Sequence, residues 1–192
     1  MSEAPGEHLA DARRALATPR QLTVCTLWDG TAADKSESVT MRLELRREEL
    51  VVEVEAPYHG DPAPPGLPGP GPTDALWEHE VVELMLLGDD ERYLEVELSP
   101  HGHYLALQLQ GPRRTVHSGL HLGVRSAIQG HRWRGRAEIP GCWLPSGLSR
   151  LNAFAMHGVG PARRYLCWRA ASTPGPRPDF HRLEAFGQLS AL

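Results

Sequence analysis

From Leu22 onward the chain is written in short apolar runs separated by turn residues, and almost none of them carries a helical period. "LTVCTLW" (Leu22 to Trp28) stops at Asp29-Gly30, a strong turn signal. "VTMRLEL" (Val39 to Leu45) and "LVVEVEA" (Leu50 to Ala56) flank the charged "RREE", which reads as a hairpin. "VVELMLL", "YLEVELS", "YLALQLQ", "LHLGVRSA", "RWRGRAEIP", "NAFAMHG", "RYLCWRA" and "FGQLSAL" follow. About eleven short strands with so little helix predict an all-β fold. The architecture they suit is an antiparallel, jelly-roll-like β-sandwich with long Pro/Gly-rich loops. "IPGCWLPSGL" (Ile139 to Leu148) breaks the pattern with two prolines and predicts a turn or one turn of helix.

In residues 1–20 "ADARRALA" has the pattern of a short amphipathic helix and the acids Glu3, Glu7 and Asp11 speak against a targeting segment; the expectation is a flexible tail, with residues 21–192 a single domain. The Pro/Gly-rich stretch Ala56 to Asp74 resembles a linker, but the three strands before it are too few for an independent core. It is expected instead to be a stiff loop over one face. The net charge of −4 speaks against a nucleic-acid partner. No apolar run approaches the roughly 20 residues that span a bilayer, so no membrane partner is expected. Cys25, Cys142 and Cys167 are widely spaced and odd in number, which suits free thiols in a reducing, cytoplasmic setting.

The carboxylates are the feature that bears on function. Residues two apart in a strand share a face, so Leu94, Val96 and Leu98 face the core while Tyr93, Glu95 and Glu97 face away. The ordinary account of Glu53, Glu55, Glu95 and Glu97 is a solvated sheet face. Glu83 differs: it stands among Val82, Leu84 and Met85, where a buried carboxylate needs a partner.

Two blocks, "LWEHEVVELMLLGDDERYLEVELSPHG" and "DFHRLEAFGQL", resemble the family 9 carbohydrate-binding modules and the wider DOMON-like β-sandwiches. "LWDGTA" and "WRGRAEIPGCWLP" extend the resemblance in the same order, over most of 22–192. The run "WEHEVVE … YLEVELSPHG … FAMHG … PDFH" looks closest to a eukaryotic family with no assigned activity. In sugar-binding family 9 members two aromatic residues sandwich a terminal sugar and polar side chains take its hydroxyls. The resemblance puts Trp77 and Phe180 on the aromatic positions and Glu83 on a carboxylate that accepts hydroxyls. It aligns Glu97 with an arginine of those members, and Arg177 with an asparagine.

The expectation is therefore a non-catalytic module for a small carbohydrate-like ligand, held by Trp77, Glu83, Glu97, Arg177 and Phe180. No cofactor is expected, except that "GDDE" (Gly88 to Glu91) offers acids for a structural calcium, although without a regular loop spacing. His101 and His103 lack a convergent third zinc ligand, with His157 and His181 the conceivable ones. Adjacent Met156 and His157 point to opposite faces of a strand and cannot ligate one haem iron together. There is no nucleophile elbow. Two other readings remain: a protein-interaction scaffold with Trp77 buried under the Pro-rich loop, its protein partner unspecified, and an enzyme acting on a sugar derivative. An enzyme predicts two carboxylates converging on one pocket with perturbed titration.

Overall fold

The computed structural model describes residues 7–64 and 70–192. In chain order a helix, α1 (Glu7–Ala15), precedes β1 (Arg20–Val24), β2 (Thr26–Leu27), β3 (Val39–Arg46), β4 (Glu49–Pro57), β5 (Val81–Leu87) and β6 (Arg92–Leu98). Then come β7 (Tyr104–Gln110), β8 (Thr115–His117), β9 (Gly123–Gln129), β10 (Arg132–Pro140), β11 (Arg150–His157), β12 (Arg164–Cys167) and β13 (Gly187–Gln188). The strands make two sheets in which every strand pair is antiparallel. One runs β1-β3-β4-β10-β9; the other runs β2-β12-β11-β5-β6-β7-β8, with β13 also paired to β11. The all-β sandwich predicted from the alternation is what the chain forms.

Each inward face is apolar. Met41, Leu43, Val52 and Val54 of the first sheet meet Leu84, Leu86, Leu94 and Val96 of the second in one buried cluster. The hairpin across "RREE" forms as read, pairing Arg46 with Glu49, and the turn is made by Arg47 in the left-handed region at φ 56°. Trp133 is fully packed because Gly135, two residues on and sharing its face, has no side chain. A Cβ there would lie 2.6 Å from the indole ring. "LTVCTLW" is not one strand. It divides at Cys25, so that β1 enters one sheet and β2 the other, stitching the two layers together.

The expected flexible tail needs correction over residues 7–16. Helix α1 docks on the sandwich, burying Ala12 (0% exposed) and Leu16 (4%) in the main core. The Asp11 carboxylate accepts the Gly147 amide at 2.7 Å. Leu9 packs where Gly141 leaves room. The arginines and acids of this stretch, which suggest solvation, occupy the other side of an amphipathic helix. Leu16→Ala is expected to cost at least about 2 kcal/mol in denaturant unfolding. A loose tail would tolerate it within roughly 0.5 kcal/mol.

The Pro/Gly-rich stretch is tied down at both described ends. The Tyr58 amide donates to the His131 carbonyl, and Pro72 bridges Tyr104 through Thr73 N to Tyr104 O (2.8 Å) and Tyr104 N to Gly71 O (3.0 Å). The middle of the expected covering loop, 65–69, lies outside the described residues. Among the described residues no helix is long and apolar enough to cross a membrane. All three cysteines are free.

Candidate functional site

Strand β5 of the second sheet is buried on both sides, and that creates the site. Val82, Leu84 and Leu86 fill the sandwich, while Val81 and Met85 support apolar clusters on the outer face. That outer face is covered by the C-terminal segment, through Phe180, Leu183 and Phe186, and by Leu76 at the end of the Pro-rich stretch. Glu83 shares the outer face. The β5–β6 hairpin pairs Leu87 with Tyr93, and counting outward sets Glu97 directly opposite Glu83. Glu95, two residues along β6, is the diagonal neighbour.

The three carboxylates therefore meet. One oxygen from each of Glu83, Glu95 and Glu97 lies within 4.8 Å of the other two, and all three side chains are buried, Glu97 completely (0% exposed). Among the described residues neither Glu97 oxygen has a hydrogen-bond partner, nor does Oε2 of Glu95. Burial, followed by the charges of its two neighbours, pushes Glu83 well above the ordinary carboxylate range. Burial and then Glu95 do the same to Glu97. Glu95 rises to about 7, chiefly through burial, with contact to Glu97 and the charge of Arg113 opposing.

The surrounding polar groups are engaged with one another. The Tyr93 hydroxyl accepts the Arg113 amide at 3.2 Å and lies 2.7 Å from His181 Nδ1. Burial, with Arg113 adding to it, holds His181 down to about 4. Nδ1 is 4.0 Å from Glu95 Oε2, too far for a hydrogen bond. The Arg113 guanidinium donates to Asp179 at 2.7 Å.

Above the carboxylates opens a cavity of about 310 Å³, lined by Trp77, Phe180, Tyr165, Met156 and Leu107 in addition to the three glutamates, Arg113 and His181. Its volume lies at the lower end of the range for ligand pockets, roughly 300–1,000 Å³. Trp77 is 46% exposed, so the described residues leave its ring open and do not bury it as a scaffold would. Its position is fixed from behind: Arg163 donates to the carbonyls of Trp77 (2.6 Å) and His79 (2.8 Å), and Leu76 is buried. Glu80 accepts the His59 and Asp61 amides, holding the same turn to the loop before it. Phe180 stacks on Phe154 at 4.0 Å and 11°, with Tyr165 edge-on.

Of the residues singled out from sequence, Trp77, Glu83, Glu97 and Phe180 line this one cavity. Arg177 does not. It lines a separate hollow of about 20 Å³ with Asn152, Cys167 and Arg169, a hollow that shares Phe180 with the main cavity. Glu95 and Glu97 overturn the expectation of a solvated face, because the C-terminal segment covers them. Glu53 and Glu55 follow it, half-exposed in a ladder with Arg42, Arg132, Arg134 and Arg136. The site residues missed were Glu95, Arg113 and His181. Hairpin counting from Leu87 and Tyr93 would have brought Glu97 to Glu83 and Glu95 to its diagonal.

The other candidate ligand groups lie elsewhere. His103 bonds Thr73 and His101 lies edge-on to Tyr58. His157 meets Glu37 at 3.0 Å, whereas Met156 faces the cavity. The acids of Gly88–Glu91 diverge, Asp89 lying against Gly147 and Glu91 against Gly111.

Comparison with known proteins places this geometry in context. A protein of Homo sapiens, "UPF0462 protein C4orf33", is 39% identical over 165 residues, covering 83% of this chain and 82% of its own. The homologue from Danio rerio is 37% identical over 164 residues, 83% of each chain. No family model matches. Among solved structures, a Bacteroides uniformis protein provisionally assigned to carbohydrate binding superposes with a TM-score of 0.66. That alignment covers 98% of this chain and 94% of that one at 18% identity. A family 9 carbohydrate-binding module from Caldicellulosiruptor kristjanssonii, in complex with cellotriose, gives 0.53 over 80% and 74% at 11% identity. At these identities the likeness is one of fold.

Proposed function

We propose that this chain, which belongs to the UPF0462 family, binds a small polyhydroxylated, carbohydrate-like ligand in the cavity beneath Trp77. The observation that carries the reading is the pairing of an open aromatic face with buried, donor-starved carboxyl oxygens in one cavity. A sugar ring presents C–H bonds to an aromatic face and hydroxyls to acceptors at its edge. Trp77 takes the ring, Phe180 forms the second wall, and Glu83, Glu95 and Glu97 take hydroxyls at the floor. The structural neighbours with carbohydrate-binding descriptions support this reading through their fold. The free thiols suit a reducing, cytoplasmic compartment.

One observation favours a second reading, hydrolysis of a sugar derivative: carboxyls with raised titration converge on the cavity. Glycosidase carboxyls, however, flank the scissile bond and stand at least about 5 Å apart. Here all three stand side by side on one floor, Glu83 directly opposite Glu97 in the hairpin and Glu95 next on the same face, rather than on two sides of a bond. Binding is the better account.

The test is a titration of wild type and Trp77→Ala with neutral and anionic mono- and oligosaccharides, followed by calorimetry and tryptophan fluorescence. Saturable binding to at least one saccharide is expected, weakened at least about tenfold in Trp77→Ala, the equivalent of about 1.4 kcal/mol. Silence across the set with both proteins folded, or binding untouched by the substitution, would falsify the reading. Turnover of any saccharide would favour the enzyme.

A further inference from the structure

We propose that Glu83, Glu95 and Glu97 bind one hard divalent cation, of the size of Ca²⁺ or Mn²⁺, at the floor of the cavity. Geometry is the first ground. The three ligand oxygens are at most 4.8 Å apart, the widest separation that a cation with bonds of about 2.4 Å can bridge. Such a spread is reached without moving a strand, because Glu83 and Glu97 are a direct cross-strand pair and Glu95 follows Glu97 on the same face.

The second ground is independent of the first. Both oxygens of fully buried Glu97, and one of Glu95, have no donor among the described residues. Buried acceptors of this kind are normally satisfied. Among the described residues no cation fills the gap: Arg113 is turned to Asp179, and His181 is held by Tyr93. A divalent ion would satisfy the orphaned oxygens together.

The donor set selects the class of ion. Three carboxylates and no thiolate suit hard, oxygen-seeking cations rather than zinc. Three residues also fall short of the six to eight oxygens that Ca²⁺ takes unless some bind through both oxygens. The three carboxylates line the cavity, from which water or a ligand hydroxyl would supply the remaining oxygens. Cation binding does not depend on the sugar reading, and it is measured without any saccharide.

Electron paramagnetic resonance of Mn²⁺ titrated into the full chain at about pH 8, where carboxylates are more readily ionised, supplies the test. The expected result is loss of the free-ion signal with one Mn²⁺ per chain and displacement by Ca²⁺. Affinity should fall at least about tenfold in Glu97→Gln, which keeps the size of the side chain. Asp89→Asn, in the acidic turn between β5 and β6, should leave binding unchanged. Absence of saturable binding up to about 1 mM overturns the proposal, as does a Glu97→Gln protein that binds as wild type does. Loss of binding in Asp89→Asn alone would overturn it too, by moving the ion to the turn.

Discussion

In chelator-treated protein, stability is expected to fall as pH rises from about 6.5 to about 8.5. The fall should be about 1.4 kcal/mol per pH unit for each buried carboxyl that still holds its proton. The sign follows from the direction of the shifts. Glu83, Glu95 and Glu97 have folded values raised above the ordinary 4.5, so the fold keeps protons that the unfolded chain has released. Their contribution is complete below about 4.5 and disappears as pH climbs through the folded values. Glu95, at about 7, gives up its share first; Glu83 and Glu97 extend the loss beyond it. His181, held down to about 4, and His103 and His157, also lowered, act in the opposite direction. They do so only below about 6.5, the unfolded value. Of the other groups facing the cluster, Arg113 is bonded to Asp179, which is lowered, and Tyr93, pushed up to about 12 by burial, keeps its proton. Above 6.5 the carboxyls therefore decide the slope.

Glu97→Gln removes one titrating group and gives the floor an amide donor. It is expected to flatten the slope and to exceed wild type by roughly 2 kcal/mol at about pH 8, gauged by urea unfolding across the pH series. A flat wild-type profile, or a glutamine variant less stable than wild type at every pH, would mean that these carboxylates are ionised and satisfied. A stabilising substitution at a buried position is what a site kept for binding rather than for folding predicts.

The sandwich was legible because its signal is local. Alternation with period two names the inward faces of β3, β4 and β6, and turn residues mark the hairpins. The outer face of β6 was not. Tyr93, Glu95 and Glu97 read as a wet stripe because polar-out alternation is ordinary where water covers the second face. What covers it instead is Phe180 to Phe186, more than eighty residues further along the chain, and no property of "YLEVELS" reports that contact. Glu83 betrayed itself by its apolar neighbours, and Trp77 and Phe180 by the family resemblance. Arg177 came from the resemblance alone and stands at a different hollow. Arg113 and His181 join the site through a turn and a C-terminal loop, where sequence carries no period to read. Helix α1, readable in "ADARRALA", was set aside for a tail for a related reason: its buried stripe is only Ala12 and Leu16 at a helix end, a pattern too short to outweigh the charged residues around it.

Phe154 and Phe180 should separate folding from recognition. Phe154 is buried in β11 opposite Glu83, and its ring lies flat against Phe180 at 4.0 Å. Truncation to alanine removes a packed aromatic from the outer face, so Phe154→Ala is expected to cost about 3–5 kcal/mol. Phe180 is only partly buried and belongs to a loop rather than a strand. Its loss forfeits one face of the stack, worth roughly 0.5–1.5 kcal/mol beyond area, so Phe180→Ala should remain folded. Ligand affinity should nevertheless fall in both variants, in Phe180→Ala because a wall is gone and in Phe154→Ala because the wall has lost its support. Phe154→Leu then distinguishes support from contact. Leucine restores much of the volume but cannot stack, so stability should recover more than affinity does. The three variants need only urea melts and the saccharide titration. If Phe180→Ala bound as wild type does while Trp77→Ala did not, the ligand would rest on one aromatic face, and Phe180 would be part of the cover over the sheet rather than of the site.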